Sequence, residues 1–196
     1  MGLGMARVGL CMLWLLVGTA DTRGTPIDKI VAVVAGEPLT ESELMIEARV
    51  ALALRQGEAP ALGPIDSELF AAFRDYVVNQ MVVSVHARRV GAVDVPRGEI
   101  DLAVKKFIQR FRSSSSYEAF MRRFDIPESK IRMLLRRDLR NQVFVSQRLR
   151  SRRLSDSRGP DRESSATDVL LNELLQEMKR TVEIRFLGPE DQLELQ

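Results

Sequence analysis

The feature that most constrains this fold is a pair of strand-like segments near the two ends of a chain whose remaining pattern is helical. Residues 29–35 contain four β-branched residues and are followed by Gly36, which is typical of a short buried strand. Residues 36–38 are expected to turn the chain. Residues 181–187 alternate apolar and charged side chains, the period of a half-buried strand. Because a single strand cannot satisfy its own backbone hydrogen bonds, we expect the two strands to pair.

The residues between these strands carry the apolar spacing of three and four that amphipathic helices have. Thr40 and Glu43 form a capping-box pattern at the start of the first helix, and Asp66 is the predicted cap of the second. Residues 56–65 hold two Gly and two Pro, which predicts a loop. Helices are predicted over residues 40–54, 67–90, 127–150 and 167–180, with one beginning near Pro96 and a short one capped by Ser115 and Glu118. The predicted fold class is therefore mainly α with a small β-sheet.

Composition divides the chain into four parts. Residues 1–20 have the pattern of a signal peptide, and residues 21–150 form the predicted helical core. Residues 151–166 lack apolar periodicity and are predicted to be a flexible linker, after which residues 167–196 supply the last helix and strand. Such a linker permits the end strands to pair within one chain. It equally permits strand exchange between two copies, which would form a homodimer.

The first twenty residues predict export. Arg7 gives a positive start, residues 8–18 are an apolar run of eleven, and small residues precede a cleavage point after Ala20. A bilayer needs about twenty apolar residues, so a short N-terminal membrane anchor is only the alternative interpretation. Cleavage would also remove Cys11, the single cysteine, and the mature chain would then contain no disulfide and no thiolate metal site.

Charge is distributed unevenly along the chain, although the formal net charge is only +2. Residues 88–158 hold nineteen Arg or Lys against eight Asp or Glu, and acidic segments flank them on both sides. The helix predicted over residues 127–150 carries a basic face made of Arg132, Arg136, Arg137 and Arg140. This face is interpreted either as a solvated surface partly paired to acidic groups, or as a binding surface for acidic unfolded chains or anionic lipid. Nucleic acid also favours basic helices, but an exported chain rarely meets it, and no nucleic-acid partner is predicted.

A set of aromatic and Met residues surrounds the serine run at residues 113–116. Its members are Phe107, Phe111, Tyr117, Phe120, Met121 and Phe124. Helical spacing favours a role in the core. The density of the set and the flexibility of Met also suit an adaptable apolar groove for extended peptide segments. These six residues are therefore the candidate peptide-binding site.

The side chains of the common catalytic centres do not occur together in this sequence. His86 is the only histidine, and no residues around it complete a Ser-His-Asp triad or a multi-histidine metal site. We interpret it as a structural residue near a helix end. No glycine-rich phosphate loop joins a strand to a helix. We predict no catalytic residue, no metal, no cofactor and no enzymatic activity.

Three segments resemble the SurA-type periplasmic chaperones, a family that includes parvulin-type prolyl isomerases. The first reads IDKIVAVV, then GE, then TESEL, over residues 27–44. The second reads HARRVG followed by VPRGEID, and the third reads SYEAFMRRFDIPESKIRMLLRRDLRNQVF. The resemblance covers residues 27–150 and implies a helical chaperone core that is closed by its two terminal segments. In that family one or two parvulin domains precede the closing segment, but here only the short linker occupies that place.

The function predicted from this resemblance is that of an exported, ATP-independent chaperone, or holdase, without isomerase activity. Its partners would be unfolded or extended envelope and outer-membrane proteins, and its location would be the periplasm. Two alternatives remain. One alternative to the holdase is an envelope assembly or adaptor subunit for one dedicated partner. The other is a degenerate relative that retains some prolyl isomerase activity.

Overall fold

The computed structural model of this chain describes residues 28–91, 94–155 and 163–188. The predicted signal peptide, with Cys11 and its cleavage point, lies outside the described residues. None of the described helices is both long enough and apolar enough to cross a lipid bilayer. In chain order the described elements are β1 (Ile30–Val34), β2 (Glu37–Thr40), α1 (Glu41–Gln56), α2 (Glu58–Leu62), α3 (Ser67–Arg89), α4 (Arg97–Ile108), α5 (Ser114–Arg123), α6 (Glu128–Ser155), α7 (Glu163–Arg180) and β3 (Ile184–Phe186).

The sheet has three antiparallel strands in the order β2-β1-β3, so the two strands predicted near the chain ends pair directly. Ala32 lies opposite Phe186, and Val34 lies opposite Ile184. The predicted fold class, mainly α with a small β-sheet, is confirmed.

The turn predicted over residues 36–38 is wrong in its position. The chain reverses at Ala35 and Gly36, whose φ angles are 52° and 81°, and the residues that follow form β2. Two successive positive φ values are the geometry of a two-residue hairpin turn. Pro38 is tolerated in β2 because β2 lies at the edge of the sheet, where a missing N–H need not break the ladder.

Both predicted caps of the long N-terminal helices are confirmed. The Oγ1 of Thr40 accepts a hydrogen bond from the backbone N–H of Glu43 at 3.3 Å, and α1 begins there. The carboxylate of Asp66 accepts from the N–H of Leu69 at 2.8 Å and begins α3. The Glu43 side chain pairs with Lys130 Nζ at 3.4 Å, so α1 and α6 are joined across this end of the fold.

Several predicted boundaries are wrong. Residues 56–65 contain the short helix α2, and α5 is capped by Ser113, whose Oγ accepts from Ser116 N–H at 3.1 Å, rather than by Ser115. Helix α6 continues to residue 155 and α7 begins at residue 163, so both helices extend into the predicted linker. Residues 156–162 of that linker lie outside the described part of the chain.

Buried apolar residues form two clusters. The first lies between the sheet and helices α1, α3, α6 and α7, and includes Val34, Leu44, Val77, Val82, Phe144 and Met178. The second joins α1, α2, α4, α5 and α6, and includes Phe107, Phe111, Phe120, Ile126 and Ile131. Helices α1 and α6 contribute to both clusters. Together with α3 they form the frame that positions the candidate site.

Candidate functional site

Helices α1, α3 and α6 line an open cleft with a volume of about 370 Å³, which we call the α1–α3–α6 cleft. Its apolar lining comes from α1 and α6 and consists of Val50, Ala51, Leu54, Leu134 and Leu135. Four of these side chains are buried, and Leu54 is partly buried. Its polar lining consists of Glu47, Arg55, Tyr76, Gln80, Arg137, Asp138 and Gln142. The cleft therefore exposes a small apolar surface, mainly at Leu54, and charges and amides border it.

A buried ion pair forms one part of the polar lining. Glu47 belongs to the apolar stripe of α1 and is only 7% exposed. Arg137 Nη1 donates to Glu47 Oε1 at 2.8 Å, and Nη2 donates to Oε2, so the pair is bidentate. Burial lowers the pKa of Arg137, but the hydrogen bond and charge of Glu47 outweigh it, and the net pKa is raised. This pair presents two fixed charges to the cleft.

A second polar group is contributed by α1, α3 and α6. Gln142 Nε2 donates to the carboxylate of Asp138 at 2.8 Å. Burial raises the pKa of Asp138 above its ordinary value, although the charges of Arg137 and Arg55 oppose the rise. The Arg55 guanidinium lies 4.6 Å from the ring centroid of Tyr76, and burial with the charge of Asp138 raises the pKa of that phenol. The pKa of the Asp138 carboxyl and the pKa of the Tyr76 phenol are thus both raised above their ordinary values.

The apolar and polar side chains that line the α1–α3–α6 cleft are together suited to reversible binding of a ligand that is itself partly apolar and partly polar. The volume lies near the lower end of the range for small-ligand sites, roughly 300–1,000 Å³. Apolar side chains of a ligand would be buried against Leu54 and its neighbours. Gln80 Oε1 already accepts from Asn141 Nδ2 at 2.8 Å, and Gln142 Nε2 already donates to Asp138 at 2.8 Å. The Nε2 donor of Gln80 and the Oε1 acceptor of Gln142 are the amide atoms that suit the backbone of an extended peptide. Among the described residues, no group of three or more His, Cys, Asp or Glu is placed to hold a metal ion.

The structure places half of the predicted aromatic site inside the core. Phe107, Phe111 and Phe120 are 0%, 6% and 1% exposed. Their rings pack edge-to-face or tilted, with centroids 5.0–6.4 Å apart. The expectation that these three line an exposed groove is therefore wrong for this conformation, because each ring is surrounded by the second apolar cluster.

The other three members of the aromatic set lie at the margin of the same cluster. Tyr117, Met121 and Phe124 are partly buried. The Arg49 guanidinium lies 4.5 Å from the Phe124 ring centroid, and its Nη1 donates to the carbonyl of Ala61 at 2.8 Å. This margin thus connects α1, α2 and α5, and it lies apart from the lining of the α1–α3–α6 cleft.

The predicted basic face is largely paired to acidic groups. Arg132 contacts Asp101 at 2.6 Å and Glu128 at 3.1 Å, and Arg136 contacts Asp94 at 3.2 Å. Arg137 is directed to Glu47 and is not part of a solvated face, which corrects the prediction for that residue. Arg140 has no ion-pair or hydrogen-bond partner among the described residues.

His86 occupies a structural position. Its Nε2 lies 3.2 Å from the carbonyl oxygen of Met178 and 3.1 Å from Thr181 Oγ1, so the ring joins α3 to the end of α7. The sequence analysis did not identify the α1–α3–α6 cleft. Its one local signal is Glu47, a charged residue three positions after Leu44 within an apolar helix stripe.

No protein-family model matches this chain, and no curated protein matches it. The resemblance to SurA-type chaperones therefore stays a prediction that is carried by the three sequence segments.

Proposed function

We propose that this chain is an exported, ATP-independent holdase that binds unfolded or extended segments of envelope proteins in the α1–α3–α6 cleft and has no isomerase activity. The observation that carries the proposal is the cleft itself, an apolar lining of five residues bordered by paired charges and amides. A surface of this kind retains apolar side chains by desolvation and tolerates polar backbone beside them. The sequence resemblance supports the same function independently.

Weak and reversible binding follows from the composition of the cleft. Its apolar lining is mostly buried already, so a bound side chain removes only a limited further area from water. Within the polar lining, Glu47 and Arg137 form a bidentate pair, although the buried Nε of Arg137 has no partner among the described residues, and Asp138 accepts a hydrogen bond from Gln142. A client therefore gains little charge-based affinity there, and it exchanges without an energy source.

A cysteine-blocking experiment tests this proposal on the chain from residue 21 onward, which contains no cysteine. Gln142→Cys places a thiol at the border of the cleft on an exposed position of α6, and Gln147→Cys is the matched control on an exposed position of the same helix outside the lining. Each folded variant is measured before and after coupling to a bulky maleimide. The assay is light scattering of a denatured β-barrel protein diluted into buffer.

We expect the label at position 142 to abolish suppression of aggregation, while the label at position 147 leaves suppression unchanged. Equal effects of the two labels would contradict binding in the cleft. Absence of suppression by the unlabelled variants and by the parent chain would refute the holdase function and favour the adaptor alternative. A proline-limited refolding assay completes the test, since acceleration by the parent chain would contradict the proposed lack of isomerase activity.

A further inference from the structure

Strand β3 forms one edge of the sheet, and its ladder with β1 shows which of its backbone groups point outward. Leu187 N–H donates to the carbonyl of Val31 at 3.2 Å, and the carbonyl of Glu183 accepts from the residue after β1 at 2.8 Å. In an antiparallel pair, residues that bond to the neighbouring strand alternate with residues that do not. The backbone N–H and C=O groups of Ile184 and Phe186 therefore point away from β1, and no described residue is hydrogen-bonded to them on that side.

The opposite edge of the sheet, formed by β2, is poorly suited to accept another strand. Val33 lies opposite Pro38 in β2 and opposite Arg185 in β3. Because Val33 directs its backbone bonds to β3, Pro38 occupies an outward position of β2, where it has no N–H to donate. A register shift between Ile30 and Ala32 also interrupts the β2 ladder. Of the two edges, β3 is therefore the one that retains a regular row of outward donors and acceptors.

The side chains of β3 form one apolar face and one charged face. Ile184 packs on the first apolar cluster, and Phe186 shares its face but is 50% exposed. The Arg74 guanidinium lies 4.9 Å from the centroid of the Phe186 ring. On the other face, Glu183 and Arg185 are 3.3 Å apart, and their side chains are 72% and 63% exposed. The edge thus combines outward backbone groups with an exposed aromatic ring and two accessible charges of opposite sign.

We propose that the outer edge of β3 binds an extended peptide segment of another protein, which adds to the sheet as an antiparallel strand. Main-chain hydrogen bonds give affinity in this mode of recognition, and the alternating side chains give specificity. Side chains directly opposite each other in an antiparallel pair lie on the same face. The segment therefore carries apolar residues opposite Phe186 and Ile184, an acidic residue opposite Arg185 and a basic residue opposite Glu183. Read from its N-terminus, the segment is apolar, acidic, apolar and basic.

The ion pair within β3 does not prevent such binding. Exposed pairs like Glu183 with Arg185 contribute little, so the charges of an incoming strand replace it at small cost. No residue of β3 lines the α1–α3–α6 cleft. The inference therefore goes beyond the proposed function, and a failed holdase assay would leave strand addition at β3 intact.

Amide hydrogen exchange, followed by nuclear magnetic resonance of the chain from residue 21, is the first test. The probe is the hexapeptide TVEVKT, blocked at both ends. Without peptide, we expect fast exchange at Ile184 and Phe186 and slow exchange at Arg185, whose N–H points to β1. With peptide, the N–H groups of Ile184 and Phe186 should become protected. Protection of both without peptide would show that another segment already occupies the edge, and that result, like absence of saturable binding, would overturn the proposal.

N-methylation of the peptide separates strand addition from other contacts with the same side chains. The two valines lie opposite Phe186 and Ile184, so their N–H groups point to β3, whereas those of the glutamate and the lysine point to solvent. Methylation of both valine nitrogens should weaken binding by about tenfold or more. The matched control, methylation of the glutamate and lysine nitrogens, should change the affinity by less than about twofold, because no bond to the protein is lost. Equal effects would contradict an added strand.

Reversal of one charge tests the register. Arg185→Glu should weaken binding of TVEVKT by about fivefold and strengthen binding of TVKVKT, since opposite charges across a pair are favourable and like charges are not. Arg150→Glu is the matched control, because it makes the same change at an exposed position of α6. Equal effects of the two variants would contradict the register.

The bulky label on Gln142→Cys identifies the place of binding, because it blocks the α1–α3–α6 cleft. Peptide binding at β3 should be unchanged by this label. Loss of peptide binding would place the peptide in the cleft and would overturn strand addition at β3.

Discussion

Replacing Glu47 by Gln isolates the contribution of the buried ion pair between α1 and α6. Gln has nearly the size of Glu and a similar helix propensity, so the main change is the loss of one buried charge. Arg137 then keeps its own charge with a side chain that is only 22% exposed. Removing one partner of a buried pair costs about 3–5 kcal/mol, and the remaining exposure of Arg137 places the expected loss near the lower limit, at about 3 kcal/mol.

That loss is readily measured. For a chain of this length each kcal/mol lowers the midpoint of thermal unfolding by about 2–4 °C, so Glu47→Gln should lower it by about 6–12 °C. Urea unfolding followed by circular dichroism should give the same free energy with an unchanged denaturant slope. The double variant Glu47→Gln with Arg137→Gln should recover part of the loss, because it leaves no unpaired charge.

A matched exposed pair provides the control. Glu118 and Arg122 are 3.5 Å apart on α5, and their side chains are 64% and 72% exposed. Glu118→Gln should cost less than about 0.5 kcal/mol. A loss for Glu47→Gln as small as this control would refute the inference that the pair between Glu47 and Arg137 is buried and structurally important.

Three further predictions concern stability. Burial raises the pKa of Asp138 above its ordinary value of 3.8, so its contribution to stability is present below that value and is lost as pH rises through the raised folded pKa. Asp138→Asn should therefore have a higher urea midpoint than the parent at about pH 7 and lose that advantage near about pH 3; an equal difference at both values would contradict the shift. Asp66→Ala removes the N-terminal cap of α3 and should cost about 1 kcal/mol in urea unfolding, whereas no loss would show that α3 does not depend on this cap. Phe120→Ala should cost about 3–5 kcal/mol because Phe120 is 1% exposed, and a loss below about 1 kcal/mol would mean that Phe120 is a surface residue as the groove hypothesis required.

Local patterns account for the elements that sequence analysis predicted correctly. The caps at Thr40 and Asp66 depend on residues within a few positions of a helix start. The apolar run of β1 and its pairing with the last strand follow from the need of each strand for a hydrogen-bonding partner. These features are encoded over short stretches, and a sequence pattern therefore reveals them.

The features that the sequence analysis missed depend on more than one local preference. Strand β2 contains Pro38 and follows a turn, so its composition resembles a loop; its pairing with β1 makes it a strand. Helix α2 lies among Gly and Pro residues, and Arg49 holds its last turn by donating to the carbonyl of Ala61. In both cases tertiary contacts outweigh local propensity.

The candidate-site residues show the same difference between what local sequence patterns predict and what depends on tertiary contacts. Amphipathic spacing identified the basic residues of α6 and the aromatic residues around α5, but it does not state which neighbours they meet. Arg137 forms an ion pair with Glu47, which lies ninety positions earlier in the chain. Arg140 lies near the charges of other arginines and has no carboxylate partner in the described part of the chain.

The amino-acid sequence by itself determined the helical class, the need of the end strands for a pairing partner and the caps of α1 and α3, because these follow from backbone hydrogen bonding and side-chain period. Only the tertiary structure decided which aromatic rings are buried and which charges are paired. Burial and ion pairing depend on distances between helices that are remote in sequence, and those distances are set by how the two apolar clusters pack.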